Sequence, residues 1–113
     1  MKRVFVSHPL SDDPIVRKEE NRALLERLIQ KHPDVLFISP LLLFDCYETD
    51  EDIRDEIMEM CQDLIKLVDE VWSFGNTSGC MEEREYAEAE GIPLTIMVHS
   101  RLTDEERFQN ELY

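Results

Sequence analysis

Short runs of consecutive apolar residues alternate along the chain with stretches whose apolar residues recur every three or four positions. Val4-Phe5-Val6, stopped by Ser7-His8-Pro9, predicts a first strand. Asp12-Asp13-Pro14 is a helix-start signal, with an acidic cap and a proline at the first helical position. Val16, Ala23, Leu24, Leu28 and Ile29 then carry a helical period to about Lys31. Val35 to Ile38 predicts a second strand, ended by Ser39-Pro40. Leu41 to Glu48 reads as a loop, unusual in opening on Leu41-Leu42-Leu43-Phe44, so these side chains are expected to cover a pocket, a partner or the core edge.

Thr49-Asp50-Glu51-Asp52 resembles a capping box, and Ile53, Ile57, Met60, Cys61, Leu64 and Val68 give the next helix an apolar stripe. Glu70 to Phe74 predicts a third strand, Ser78 to Glu90 a helix closed by Gly91 and Pro93, and Leu94 to Val98 a fourth strand. Thr103 to Glu106 opens a short terminal helix. Strands that are apolar without alternation are buried on both faces, which requires a parallel sheet covered by helices on each side. Right-handed crossovers leave few arrangements. The expected fold is α/β, a flavodoxin-like or Rossmann-like three-layer sandwich with a four- or five-stranded parallel sheet, in strand order 2-1-3-4 or close to it.

Length and composition narrow the picture. The 113 residues suit a single domain, and an apolar content of 42% suits a globular one. No apolar run approaches the roughly 18 residues of a membrane span, and the chain opens directly into a strand, so a cytoplasmic protein without membrane contact is expected. The net charge of −14 argues against a nucleic-acid partner, which needs a basic face. A small phosphorylated ligand held by local N–H groups is still compatible. Cys46, Cys61 and Cys80 form no C-x-x-C pair, and with His8, His32 and His99 they offer no zinc spacing; neither metal nor cofactor is expected.

Ligands of open α/β sheets bind beyond the carboxyl ends of the strands, at the point where strand order reverses. Here that crevice lies between the loop after strand 1, with Ser7, His8 and Pro9, and the turn after strand 3, with Gly75, Thr77, Ser78 and Gly79. Neither carries a dinucleotide or triphosphate glycine pattern. Thr77 and Ser78 suit a helix cap, and the same hydroxyls suit a phosphate or ribose oxygen. Cys80, Ala87 and Gly91 mark the sheet-facing stripe of the following helix, and Glu83 falls beside it. An inward carboxylate near strand tips is a candidate for chemistry; an exposed one would simply favour the helix dipole. Asp69 precedes strand 3, as a surface charge or a helix-ending residue.

Taken in order, these segments resemble the nucleoside 2-deoxyribosyltransferase-like superfamily, especially its small bacterial and viral branch. The resemblance rests on Val4-Phe5-Val6-Ser7-His8-Pro9-Leu10, on Ser39-Pro40-Leu41, and on Asp69-Glu70-Val71-Trp72-Ser73-Phe74-Gly75 followed by Ser78-Gly79, Glu83, Ala87 and Gly91-Ile92-Pro93. It implies that Glu83 is a nucleophile that attacks the anomeric carbon of a deoxyribosyl group, expels the base and forms a glycosyl ester, which a second base or water resolves. It implies that Asp69 contacts the ligand or organises the pocket, and that a nucleoside or nucleotide is the partner. A homo-oligomer is expected as well, from the apolar loop Leu41 to Phe44 and the short C-terminal segment, which suggest sites at an interface.

The chain departs from the pattern in four places. Phe5 stands where a tyrosine is common, Cys80 replaces a frequent methionine or threonine, the Ser7–Ser11 loop lacks glycines, and only Arg101 to Tyr113 follows strand 4. The competing expectation is therefore a non-catalytic module of the same fold, binding a nucleotide-like ligand or a protein.

Overall fold

The computed structural model describes residues 1–8, 14–43 and 53–97. Four strands form one all-parallel sheet: β1 (Lys2–Ser7), β2 (Val35–Ile38), β3 (Glu70–Ser73) and β4 (Leu94–Ile96), in the order β2-β1-β3-β4. Among the described residues four helices accompany them: α1 (Pro14–Lys31), α2 (Pro40–Leu43), α3 (Arg54–Leu67) and α4 (Ser78–Ala89). The result is a three-layer α/β sandwich of Rossmann-like type, with β1 and β3 as its central strands.

Alternation along the central strands divides the core in two. Val4, Val6, Trp72 and Phe74 pack with Leu24 and Leu28 of α1 and with Met97. Phe5 and Val71 face the other way, against Cys61, Ile65 and Val68 at α3 and Ala87 of α4. Both faces of β1 and β3 are therefore closed, as their unbroken apolar runs require. The outer strands are not: Leu36 on β2 and Ile96 on β4 are about half exposed. On the α1 side, His32, Phe37 and Trp72 meet edge to face, with ring centroids 5.1 to 6.1 Å apart. The Trp72 indole N–H donates to Glu70 at 2.8 Å, and Lys2 pairs with the same carboxylate. Those two partners, Lys2 first, hold the Glu70 carboxyl below its usual range.

Three expectations change in detail. Residues 40–43 form one helical turn rather than a loop, because Pro40 suits a first helical position and the Leu43 amide reaches back to the Ser39 carbonyl at 3.1 Å. Pro40 is buried while Leu43 is exposed, so the apolar run partly covers the core edge. On α3 the buried line runs through Cys61, Ile65 and Val68, with Ile57 and Leu64 packed beside it; Met60 lies a full 100° from Cys61 around the helix and is exposed. On α1 the inward line is Asn21, Leu24 and Leu28, which leaves Val16, Ala23 and Ile29 exposed. The Thr49–Asp52 capping box, Val98 and the terminal helix lie outside the described residues. No described helix is long and apolar enough to cross a membrane.

The stop signal after α4 takes a definite form. Gly91 has φ of 71°, its N–H donates to the Glu88 carbonyl, and the Ile92 N–H donates to the Ala87 carbonyl at 2.8 Å. This paired arrangement closes the helix and needs a residue tolerant of left-handed backbone. Gly91→Ala is expected to lower unfolding stability by about 1 to 2 kcal/mol in urea titrations. Gly79→Ala, where an added methyl group meets nothing within 4 Å, is expected to raise it by about 0.5 kcal/mol.

Candidate functional site

The last residues of the two central strands are both serines. Ser7 and Ser73 are register partners across β1 and β3, point to the same face as Phe5 and Val71, and are fully buried. Two hydroxyls end the sheet's apolar face at its carboxyl edge. The backbone continues one step further, with the Phe74 N–H donating to the Ser7 carbonyl at 2.8 Å. The chain then turns through Gly75 and Asn76 into α4. Thr77 caps that helix: its hydroxyl accepts from the Cys80 N–H at 3.4 Å, and its carbonyl accepts from Met81 at 2.9 Å.

Consecutive residues of α4 then engage the two serines. The Ser7 hydroxyl donates to Glu83 Oε1 at 2.8 Å. Arg84 Nε donates to Ser73 Oγ at 2.8 Å, and its Nη2 donates to the Gly75 carbonyl and, at 2.9 Å, to Asn76 Oδ1. Arg84 Nη1 lies 3.3 Å from Met81 Sδ. The Glu83 carboxylate is thus turned inward over the tips of β1 and β3. Alongside it is a small opening of about 10 Å³ between α3 and α4, lined by Met58, Cys61, Gln62, Glu82, Glu83 and Tyr86.

Burial raises the Glu83 pKa to about 7; the Ser7 hydrogen bond works against that rise, and Glu82 adds to it. Near neutral pH the group is therefore divided between carboxylate and carboxylic acid. The Cys61 thiol is pushed up to about 12 by burial and by Glu83, which removes it as a thiolate nucleophile. Across the same seam, Lys66 of α3 lies over the Tyr86 ring of α4, 5.9 Å from its centroid, and its pKa is raised chiefly by hydrogen bonding to Tyr86.

The expected site residues separate into two places. Ser7, Gly75, Thr77, Ser78, Gly79 and Glu83 share the carboxyl edge, with partly buried His8 directly after Ser7. Pro9 lies outside the described residues. Thr77 serves as the cap and Ser78 is exposed at the first helical position. Asp69 is at the opposite edge: its carboxylate accepts from the Arg3 N–H at 2.8 Å and its own N–H donates to the Arg3 carbonyl. Four strand residues, about 13 Å, separate it from Ser73. Asp69 fastens the start of β3 to β1 and does not meet Glu83.

Sequence reasoning passed over Arg84 and Ser73. The signal for Arg84 was present, since positions 80, 84, 87 and 91 form one inward line and a lone cation interrupts three small residues. Ser73 was readable as the position two beyond Val71 on the same strand face. Gln62 and Met58 had no local signal, because only the packing of α3 on α4 brings them beside Glu83. Among the described residues no cluster of three or more metal-ligating side chains occurs. No protein-family model matches the chain, and no curated protein matches it significantly.

The raised pKa has a thermodynamic consequence of definite sign. The folded protein holds the Glu83 proton up to about pH 7, whereas a glutamate in the unfolded chain releases it near 4.5. This contribution is fully present below the unfolded value and is lost as pH rises through the folded one, at a cost of up to about 3 kcal/mol. Glu83→Gln is neutral at every pH and still accepts from Ser7. Urea unfolding should find it more stable than wild type at pH 8 by about 2 to 3 kcal/mol, with the gap closing toward pH 4.5. A gap that does not vary with pH would contradict the buried placement.

Proposed function

We propose that the protein cleaves or transfers an N-glycosidic bond of a nucleoside or nucleotide, with Glu83 as nucleophile. The observation that carries this reading is the inward Glu83 carboxylate, hydrogen-bonded to Ser7 at the sheet's carboxyl edge and lining the opening between α3 and α4. The order of motifs around it supports the reading. Phe5 is wholly buried in the core and offers no hydroxyl, but Ser7, two residues on and on the same face, supplies one.

In this mechanism an ionised Glu83 oxygen attacks the anomeric carbon. The C–N bond breaks, the base leaves with the electron pair and takes up a proton, and a glycosyl ester remains. Water or a second base then attacks the same carbon and releases the carboxylate. Ser7 orients the attacking oxygen and stabilises its ionised form. Water at the open side of the site supplies the departing base's proton, whereas Asp69, bound to Arg3 at the far edge, supplies none there. Purified protein incubated with deoxynucleosides and their monophosphates should release free base, measured by chromatography. The rate should rise with pH through about 7 as Glu83 ionises, and Glu83→Ala should lower it by about a thousandfold or more. Undiminished release by Glu83→Ala would remove the mechanism.

The size of the opening favours a second reading. About 10 Å³ is room for roughly one water and far below the roughly 300 to 1,000 Å³ of most small-molecule sites, which suits a module that grips only part of a nucleotide-like ligand without turning it over. That reading expects ligand-dependent thermal stabilisation, growing as RT ln(1 + [L]/Kd), with no base released. A melting temperature unmoved across a nucleoside and nucleotide panel would exclude it.

A further inference from the structure

Arg84 is buried, and every hydrogen bond it makes goes to a neutral acceptor. Burying a guanidinium without a carboxylate is costly, and a packed aliphatic side chain would fill the position without that cost. The distribution of its bonds gives the reason. Nε holds the end of β3 through Ser73, Nη2 holds the following turn through Gly75 and Asn76, and Nη1 contacts Met81 in the preceding helical turn. One rigid planar group therefore joins a strand end, a turn and a helix. Adjacent helix residues point about 100° apart, so whatever fixes residue 84 also fixes the direction of residue 83. The serines the two residues reach, Ser73 and Ser7, are themselves register partners.

We propose that Arg84 is a positioning residue for Glu83: by clamping the strand end and turn, it holds α4 at the rotation and depth where Glu83 meets Ser7. This goes beyond the reaction proposed above, because it concerns where the carboxylate sits, whether or not it turns over a substrate. A lysine cannot replace the clamp, since three donors on one nitrogen cannot span Ser73, Gly75 and Asn76 in the fixed fork of a guanidinium.

The test is a carbon-detected NMR titration of the side-chain carboxyls in wild type, Arg84→Lys and Arg84→Met, with Glu83 assigned by comparison with Glu83→Gln. In folded Arg84→Met the Glu83 midpoint is expected to fall by about one pH unit or more, a tenfold change in its ionisation ratio, as the carboxylate swings toward water. Losing a neighbouring cation would by itself raise the midpoint, so the direction separates positioning from charge. A plain stability defect would leave the midpoint where it is. Arg84→Lys keeps the charge and loses the fork, and its midpoint is expected between the other two. A Glu83 midpoint unchanged or raised in Arg84→Met overturns the proposal. Should Arg84→Met fail to fold, a wild-type midpoint in Arg84→Lys overturns it equally. The readout needs no substrate, so failure of the enzymatic reading and failure of this one are distinguishable.

Discussion

The site depends on one rung of the sheet. Where β1 and β3 end side by side, each offers a buried hydroxyl on the same face, and two consecutive residues of α4 bond to them. Without those hydroxyls the helix would end its contact with the sheet on purely apolar packing, which tolerates rotation. Hydrogen bonds within 3 Å do not. The placement of Glu83, the shape of the turn and the depth of α4 all follow from this single polar rung in an otherwise apolar interface.

The same rung separates the electrostatics of the two sheet edges. At the amino edge, charged groups meet in water: Lys2 pairs with Glu70, and Arg3 with Asp69. Those carboxylates fasten strands, and solvent limits what they contribute. At the carboxyl edge, Glu83 shares a buried neighbourhood with Cys61, where burial disfavours the charged form of each and Glu83 further disfavours the thiolate. Burial keeps the thiol protonated and brings the carboxyl near neutral pH. A proton-accepting group poised in that range suits bond-breaking chemistry.

Much of the fold was legible in advance because its signals are local. The three-residue apolar run of β1, the proline that opens α1 and the Gly91 stop of α4 each have a short-range cause, whether unbroken burial, a preset φ or a left-handed turn. Strand order followed from those elements and the handedness of crossovers. The misreadings fall where helix phase or covering is decided from outside. Met60 and Ile29 are apolar yet exposed, and Asn21 is polar yet buried, because the sheet presents a narrower surface than the pattern offers. Pro40 to Leu43 looked like a loop because a single helical turn is too short to have a period.

Taken alone, the chain's residues determined a parallel α/β sandwich and a carboxylate leaning toward its strand tips, since periodicity and turn chemistry act within a few positions. Asp69 and Glu83 are 14 residues apart in one motif, and only the direction of β3 reveals that they occupy opposite edges of the sheet. Arg84 looked like one more charge on an acidic helix. That it is the clamp beneath the turn follows from contacts with residues 8 to 11 positions away, too far for any helical spacing rule to register. Packing α3 on α4 places Gln62 and Met58 beside Glu83 in the same way. A side chain's partners across a helix–sheet interface are set by rotation and depth, and tertiary structure alone decides those.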